Sequence, residues 1–235
     1  MRKIIYNEVT VSSKDVDESD ILSTFTKVYA STPHKKISFL NIYKELPVTN
    51  DGNICEFNST EILFKACPLQ LAAIQLSMET IIQAPFLDTP ILAKLAYIDI
   101  ASGLVALKNF SYAEVHFTRR SAVRVRLKVP LNVMIITDSD KITGVIRDIS
   151  MTGCRVTTPA GYCLEKAGYI AMLFKFFCDG QIIELQIKAN LLRITGGPMF
   201  ECVLLFEHDE KTEKDLSLFI YQRQVEILKE LKNCN

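Results

Sequence analysis

Two arginines of this chain, Arg120 and Arg124, stand in the pattern R-x-x-x-R. A guanidinium group is a planar fork of hydrogen-bond donors, so such a pair can hold a phosphate group bidentately. Arg119 directly precedes the pattern, and residues 119–128 carry five basic side chains and no acidic one. Taken alone, this concentration of charge is equally typical of a solvated strand face or of a basic linker.

A second pattern, D-x-S-x-x-G, is formed by Asp148, Ser150 and Gly153. The carboxylate offers two acceptor oxygens, the hydroxyl can add a further contact, and the glycine lets the backbone turn or approach another group closely. The simpler interpretation is an Asx or Ser turn that closes a strand. This pattern is rare by chance, and its position after the arginine pair makes a shared site the favoured interpretation.

The residues around both patterns alternate as in a β-sheet. Between Val125 and Ile135 every odd position is apolar and most even positions are polar, which predicts a half-buried strand. Five more strands are predicted, separated by turn-forming residues such as Asp179-Gly180. They cover Ile142–Ile149, Cys154–Thr158, Tyr169–Cys178, Ile182–Ile194 and Met199–Glu207. Six strands without intervening helices predict an antiparallel barrel or sandwich.

Helices are predicted at both ends of the chain. Apolar residues at helical spacing predict a short helix over residues 17–31, with Ser19 as its N-cap, and a closing helix that starts near Thr212. Residues 34–110 are predicted to form several further β-strands. The fold class is therefore mostly β, with two small antiparallel β-barrel domains in tandem.

These patterns resemble the PilZ domain, a six-stranded β-barrel that binds the bacterial second messenger cyclic di-GMP. The resemblance covers about residues 117–232 and includes both motifs, the strands that follow and the closing helix. The remaining part resembles the leading domain of flagellar-brake-like proteins. We therefore expect an N-terminal β-rich domain over residues 1–112 and a PilZ domain, with its arginine-rich linker, over residues 113–235.

The resemblance implies a ligand site for cyclic di-GMP and names its residues. Guanidinium forks suit both the phosphates and the N7/O6 edge of guanine, while a carboxylate suits the N1–H and N2–H donors of guanine. An arginine directly before the R-x-x-x-R pattern implies two stacked ligand molecules per site. The expected ligand-binding residues are Arg119, Arg120, Arg124, Asp148, Ser150 and Gly153.

The resemblance also implies a receptor without catalytic activity. Its arginine segment would fold over the ligand, change the arrangement of the two domains and so alter the affinity for a protein partner. That partner is expected in the flagellar motor or in pilus or exopolysaccharide machinery, and a homodimer is left open. The alternative is a nucleotide-independent PilZ-type adaptor that acts only through protein–protein contacts.

Composition excludes several other classes of protein. The 235 residues carry 27 basic and 27 acidic side chains, so bulk charge does not favour nucleic acid as a partner. The seven cysteines form no C-x-x-C pair and no zinc-ligand spacing, which predicts reduced core residues and no metal cofactor. We see no secretory signal, membrane span or nucleophile–base pair, and we expect a cytoplasmic protein.

Overall fold

The computed structural model of this chain describes residues 6–32, 35–58, 60–115, 122–207 and 209–233. The chain divides into two compact units. The first consists of Met1–Tyr43, Pro47–Arg120 and Leu228–Asn235, and the second of Lys44–Leu46 and Ser121–Ile227.

The first unit is a twisted antiparallel sheet that surrounds an apolar core. Its strands are β1 (Tyr6–Val9), β2 (Ile37–Tyr43), β3 (Leu46–Phe57), β4 (Glu61–Ala66), β5 (Glu79–Gln83), β6 (Ile91–Asp99) and β7 (Leu104–Val115). They pair in the order β1-β7-β4-β3-β2-β5-β6, and β6 also pairs with β7, so the pairing returns to β7. Helix α1 (Lys14–Ser31) places Ile21 and Phe25 in the core beside Phe64.

Two features of this unit differ from the sequence predictions. Helix α1 begins at Lys14 rather than near residue 17, because Ser13 is its N-cap and accepts a hydrogen bond from the backbone N–H of Val16. The predicted cap, Ser19, lies inside the helix. Helix α2 (Pro68–Ser77) occupies a segment that was predicted as part of the strand region, and its buried residues include Leu71 and Ile74. Its apolar run is too short for periodicity to separate a helix from a strand.

The second unit is a closed antiparallel barrel of six strands. They are β8 (Arg124–Thr137), β9 (Lys141–Ser150), β10 (Gly153–Thr158), β11 (Ile170–Cys178), β12 (Gln181–Thr195) and β13 (Phe200–Glu207). The barrel order is β10-β13-β12-β11-β8-β9. A short 3₁₀ helix, Gly161–Lys166, connects β10 to β11. The six predicted strands of this half are confirmed, and the mostly β fold class is confirmed with them.

A hairpin turn connects β11 to β12, and a C-terminal helix follows β13. Asp179 and Gly180 both have positive φ, at 49° and 79°, as a two-residue hairpin between right-twisted strands requires. Helix α3 (Glu210–Lys232) starts after Asp209, whose carboxylate accepts a hydrogen bond from the Thr212 backbone N–H at 2.8 Å. No α-helix in the described parts of the chain has the length and apolar character needed to cross a membrane.

Candidate functional site

The strand register brings the two sequence motifs together. In the pairing of β8 with β9, Arg124 lies opposite Ser150 and Arg126 lies opposite Asp148. In the pairing of β9 with β10, Ser150 lies opposite Gly153 and Asp148 lies opposite Arg155. Directly paired residues project from the same face of a sheet. The side chains of both motifs therefore share one face of three adjacent strands.

A β-bulge directs the Asp148 side chain to this face. Arg155 pairs with Asp148 and Val156 pairs with Ile146, so Arg147 is one extra residue on β9. Ile146 and Ile149 are both fully buried although they are separated by an odd number of positions. Because side chains alternate along a strand, the extra residue resets the alternation and places Asp148 on the opposite face from Ile149.

Two arginines hold the carboxylate of Asp148. Nη1 of Arg124 lies 3.3 Å from its Oδ1 atom, and Nε of Arg155 lies 3.0 Å from its Oδ2 atom. The Asp148 side chain is only 6% exposed, while those of Arg124 and Arg155 are 15% and 18% exposed. Nη1 of Arg155 also lies 3.3 Å from Oε1 of Glu201 on β13. The carboxylate thus lies between two guanidinium groups in a site with little solvent exposure.

Both arginines have buried donor atoms that the described residues leave unpaired. Nε of Arg124 and Nη2 of Arg155 are buried and have no hydrogen-bond partner among the described residues. Buried polar atoms in native proteins are nearly always hydrogen-bonded, because leaving them unpaired costs free energy. Guanidinium donors of this kind are suited to phosphate oxygens and to carbonyl or ring-nitrogen acceptors of a base.

Ser150 and Gly153 shape the turn between β9 and β10. The Ser150 hydroxyl donates a hydrogen bond to the Gly153 carbonyl at 3.0 Å and is buried. A Cβ atom on Gly153 would lie 2.2 Å from the Leu204 carbonyl oxygen of β13. Glycine is therefore required here by the close approach of β10 to β13. The sequence suggested a turn or a close approach at this glycine, and the group approached here is the backbone of a neighbouring strand.

The sequence of this half of the chain matches a known domain family. Residues 118–222 match the model of the family described as PilZ domain. Residues 118–222 are a PilZ domain. The predicted resemblance to the PilZ domain family is confirmed, and both sequence motifs lie inside the matched segment.

Several solved structures are similar to this chain at low sequence identity. The inhibitor of motility MotI/DgrA of Bacillus subtilis is 14% identical with a TM-score of 0.41, over 82% of this chain and 97% of that chain. The MrkH–c-di-GMP complex of K. pneumonia is 12% identical with a TM-score of 0.39, over 91% and 96%. YcgR of Escherichia coli in complex with c-di-GMP is 11% identical with a TM-score of 0.41, over 100% and 99%. No curated protein matches this chain.

The structure of the PilZ domain shows where four of the predicted site residues lie. Arg124, Asp148, Ser150 and Gly153 lie together on the shared face of β8, β9 and β10. Arg119 and Arg120 lie outside the described residues. Arg126 and Lys128 are exposed, in agreement with their interpretation as a solvated face.

Arg155 also contacts the Asp148 carboxylate, although it is not among the predicted site residues. Its contact with Asp148 depends on the register between β9 and β10. A signal was nevertheless present, because antiparallel strands joined by a tight turn pair residues symmetrically about that turn. Asp148 and Arg155 stand at equal distances from the Met151-Thr152 turn.

Cys154 precedes Arg155 on β10 but faces the core. It is fully buried, pairs with Ile149 and lies 3.9 Å, sulfur to sulfur, from Met172. Burial raises the pKa of the Cys154 thiol far above its ordinary value, and the Asp148 charge raises it further while Arg124 lowers it. The thiol is therefore protonated at neutral pH and is not a nucleophile. Among the described residues, no group of histidine, cysteine, aspartate or glutamate side chains is placed to hold a metal ion.

Proposed function

We propose that this chain is a receptor for cyclic di-GMP. The proposed ligand-binding residues are Arg119, Arg120, Arg124, Asp148, Ser150 and Gly153. The observation that carries the proposal is the convergence of the two motifs, with Nη1 of Arg124 at 3.3 Å from Oδ1 of Asp148. The PilZ domain match over residues 118–222 supports the same ligand.

The ligand chemistry fits the residues that the structure describes. Cyclic di-GMP has two phosphates and two guanines, and each guanine has N7 and O6 acceptors on one edge and N1–H and N2–H donors on another. The buried Nε atom of Arg124 is a donor without a partner among the described residues, and it suits a phosphate oxygen or a guanine acceptor. The carboxylate of Asp148 suits the guanine donors. This is a binding site, and we propose no catalytic role for it.

Isothermal titration calorimetry of the full chain with cyclic di-GMP tests the proposal directly. We expect saturable binding by the wild type and loss of binding in Arg120→Ala. Arg193→Ala is the matched control, because Arg193 is an exposed strand arginine of the same barrel. Absence of binding by the correctly folded wild type would favour the nucleotide-independent adaptor instead.

The consequence of ligand binding is also part of the proposal. The chain is proposed to consist of domains over residues 1–112 and 113–235, with the arginine motif close to their boundary in the sequence. Binding is proposed to select one arrangement of the two domains, because contacts to the ligand are available in that arrangement only. Small-angle X-ray scattering with and without cyclic di-GMP tests this, and identical profiles at saturation would contradict it.

The response is proposed to pass to a protein partner of the flagellar motor or of pilus or exopolysaccharide machinery. The cytoplasmic location and a homodimer stay predictions. Affinity purification with and without cyclic di-GMP tests this proposal. A protein that binds the ligand-bound state is expected to be recovered only when cyclic di-GMP is present.

A further inference from the structure

Arg155 lies in the proposed site and makes contacts with two acidic residues. Its Nε atom pairs with Asp148 and its Nη1 atom pairs with Glu201, at 3.0 Å and 3.3 Å. A guanidinium group is rigid and planar, so two contacts in different directions fix its orientation. The third nitrogen, Nη2, is buried without a hydrogen-bond partner among the described residues.

The covalent geometry of arginine decides where Nη2 points. The N–H of Nε and one N–H of Nη2 project from the same edge of the guanidinium, which is the edge used in side-on carboxylate pairs. Here Nε on that edge already contacts Oδ2 of Asp148, while Nη1 on the opposite side contacts Glu201. Nη2 therefore presents a donor directly beside the acceptor oxygens of Asp148.

This arrangement complements one edge of guanine. That edge has, in order, the O6 acceptor, the N1–H donor and the N2–H donor. A donor followed by two carboxylate oxygens is the matching sequence of groups. We propose that Arg155 is a specificity-determining residue, whose Nη2 donates to guanine O6 while Asp148 accepts from N1–H and N2–H. The inference rests on the proposed cyclic di-GMP site and adds a residue that lies outside both motifs.

The experiment compares two ligands on the full chain by isothermal titration calorimetry. One is cyclic di-GMP, and the other is its analogue with 2-aminopurine in place of guanine, which lacks O6 and the N1 proton but keeps the N2 amino group. The wild type is expected to prefer cyclic di-GMP. A site that hydrogen-bonds a polar group discriminates strongly against a ligand without it.

Two variants separate recognition from folding. Arg155→Gln removes the charge and the fork, whereas Arg155→Lys keeps a cation for Asp148 but cannot supply the Nη2 donor. Both are expected to lower the preference for cyclic di-GMP by roughly tenfold or more, the loss typical of one charge-assisted hydrogen bond. Arg193→Gln is the control, because Arg193 on β12 pairs with Val203 just as Arg155 on β10 does. This variant is expected to leave the preference unchanged.

The outcomes distinguish the two proposals. A wild-type preference retained in Arg155→Lys would overturn the role of Arg155 and leave the receptor proposal intact. Equal losses of affinity for both ligands, with the preference unchanged, would also overturn it, because they indicate support of the fold alone. Failure of the wild type to bind cyclic di-GMP would overturn the receptor proposal, and this inference with it.

Discussion

Arg155 and Asp148 are directly paired residues of β10 and β9, and the Nε atom of Arg155 lies 3.0 Å from Oδ2 of Asp148. Arg126 is the direct partner of Asp148 on the other neighbouring strand, yet it is exposed. The carboxylate instead contacts Arg124, two positions away on β8. A buried acid thus lies between two arginines, and each of them has a buried donor atom without a hydrogen-bond partner among the described residues.

Asp148→Asn is expected to weaken cyclic di-GMP binding by roughly hundredfold or more, because the amide cannot accept both guanine donors as a carboxylate does. It is also expected to lower the free energy of unfolding by about 3 kcal/mol, since the largely buried guanidinium groups of Arg124 and Arg155 lose the Asp148 charge and Arg155 keeps its contact with Glu201. Calorimetry and urea unfolding measure the two effects. Asp179→Asn removes the same charge from an exposed turn, where asparagine tolerates positive φ, and should change neither quantity.

Arg119→Leu is expected to change the stoichiometry of binding from two cyclic di-GMP molecules per chain to one. The guanidinium plane of Arg119 can stack on a guanine of the second ligand, whereas an apolar side chain gives neither the charge nor the donors. Calorimetric titration with a known active fraction gives the stoichiometry. A wild type that binds a single molecule would contradict the prediction before any variant is made.

Gly153→Ala is expected to destabilise the barrel by about 1–3 kcal/mol, because its Cβ would lie 2.2 Å from the Leu204 carbonyl oxygen and β10 or β13 must move. Gly196→Ala is the matched control, since the nearest atom to its Cβ would be 3.9 Å away. Thermal unfolding followed by circular dichroism compares the two variants. Equal melting temperatures for the two would show that the close approach of the strands has no energetic weight.

Asn41→Ala is expected to destabilise the first unit by about 2–3 kcal/mol. The Asn41 side-chain oxygen accepts hydrogen bonds from Gln70 Nε2 and Thr80 Oγ1, each at 2.7 Å, and all three residues are buried. Truncation leaves both donors without a partner in the core. Asn53→Ala, on an exposed position of β3, is the control in chemical denaturation, and a similar loss in both variants would contradict the prediction.

Stability is expected to fall at alkaline pH in a manner that depends on Cys154. Its pKa is raised by burial first and by the Asp148 charge second, so the folded state keeps the thiol protonated where the unfolded state ionises it. The resulting stabilisation is complete below the ordinary thiol pKa of 9.0 and is lost as the pH rises above that value. Between pH 9 and 11 the free energy of unfolding should therefore decline by about 1.4 kcal/mol per pH unit more in the wild type than in Cys154→Ala. Parallel pH profiles would contradict this assignment.

Much of the fold was predictable from local patterns. The alternation from Val125 to Ile135 falls within β8, although Val129 is exposed where the register with β9 shifts, and the Asp179-Gly180 turn lies where positive φ is needed. Helix α2 was missed because most of its buried residues form a short continuous apolar run. The start of α1 was misplaced because Ser13 and Ser19 are chemically equivalent caps, and the sequence does not show which of them lies outside the helix.

The sequence was sufficient to identify the chemical groups of the site. The guanidinium donors of Arg124, the carboxylate of Asp148 and the missing side chain of Gly153 are properties of the residues themselves. Which of these groups are in contact depends on the pairing register of β8, β9 and β10. The extra residue Arg147 turns Asp148 away from the core, and the pairing of β9 with β10 sets Arg155 beside it. The turn at Met151-Thr152 sets the pairing of Asp148 with Arg155, whereas the bulge at Arg147 and the register of β8 against β9 arise from packing across the whole barrel.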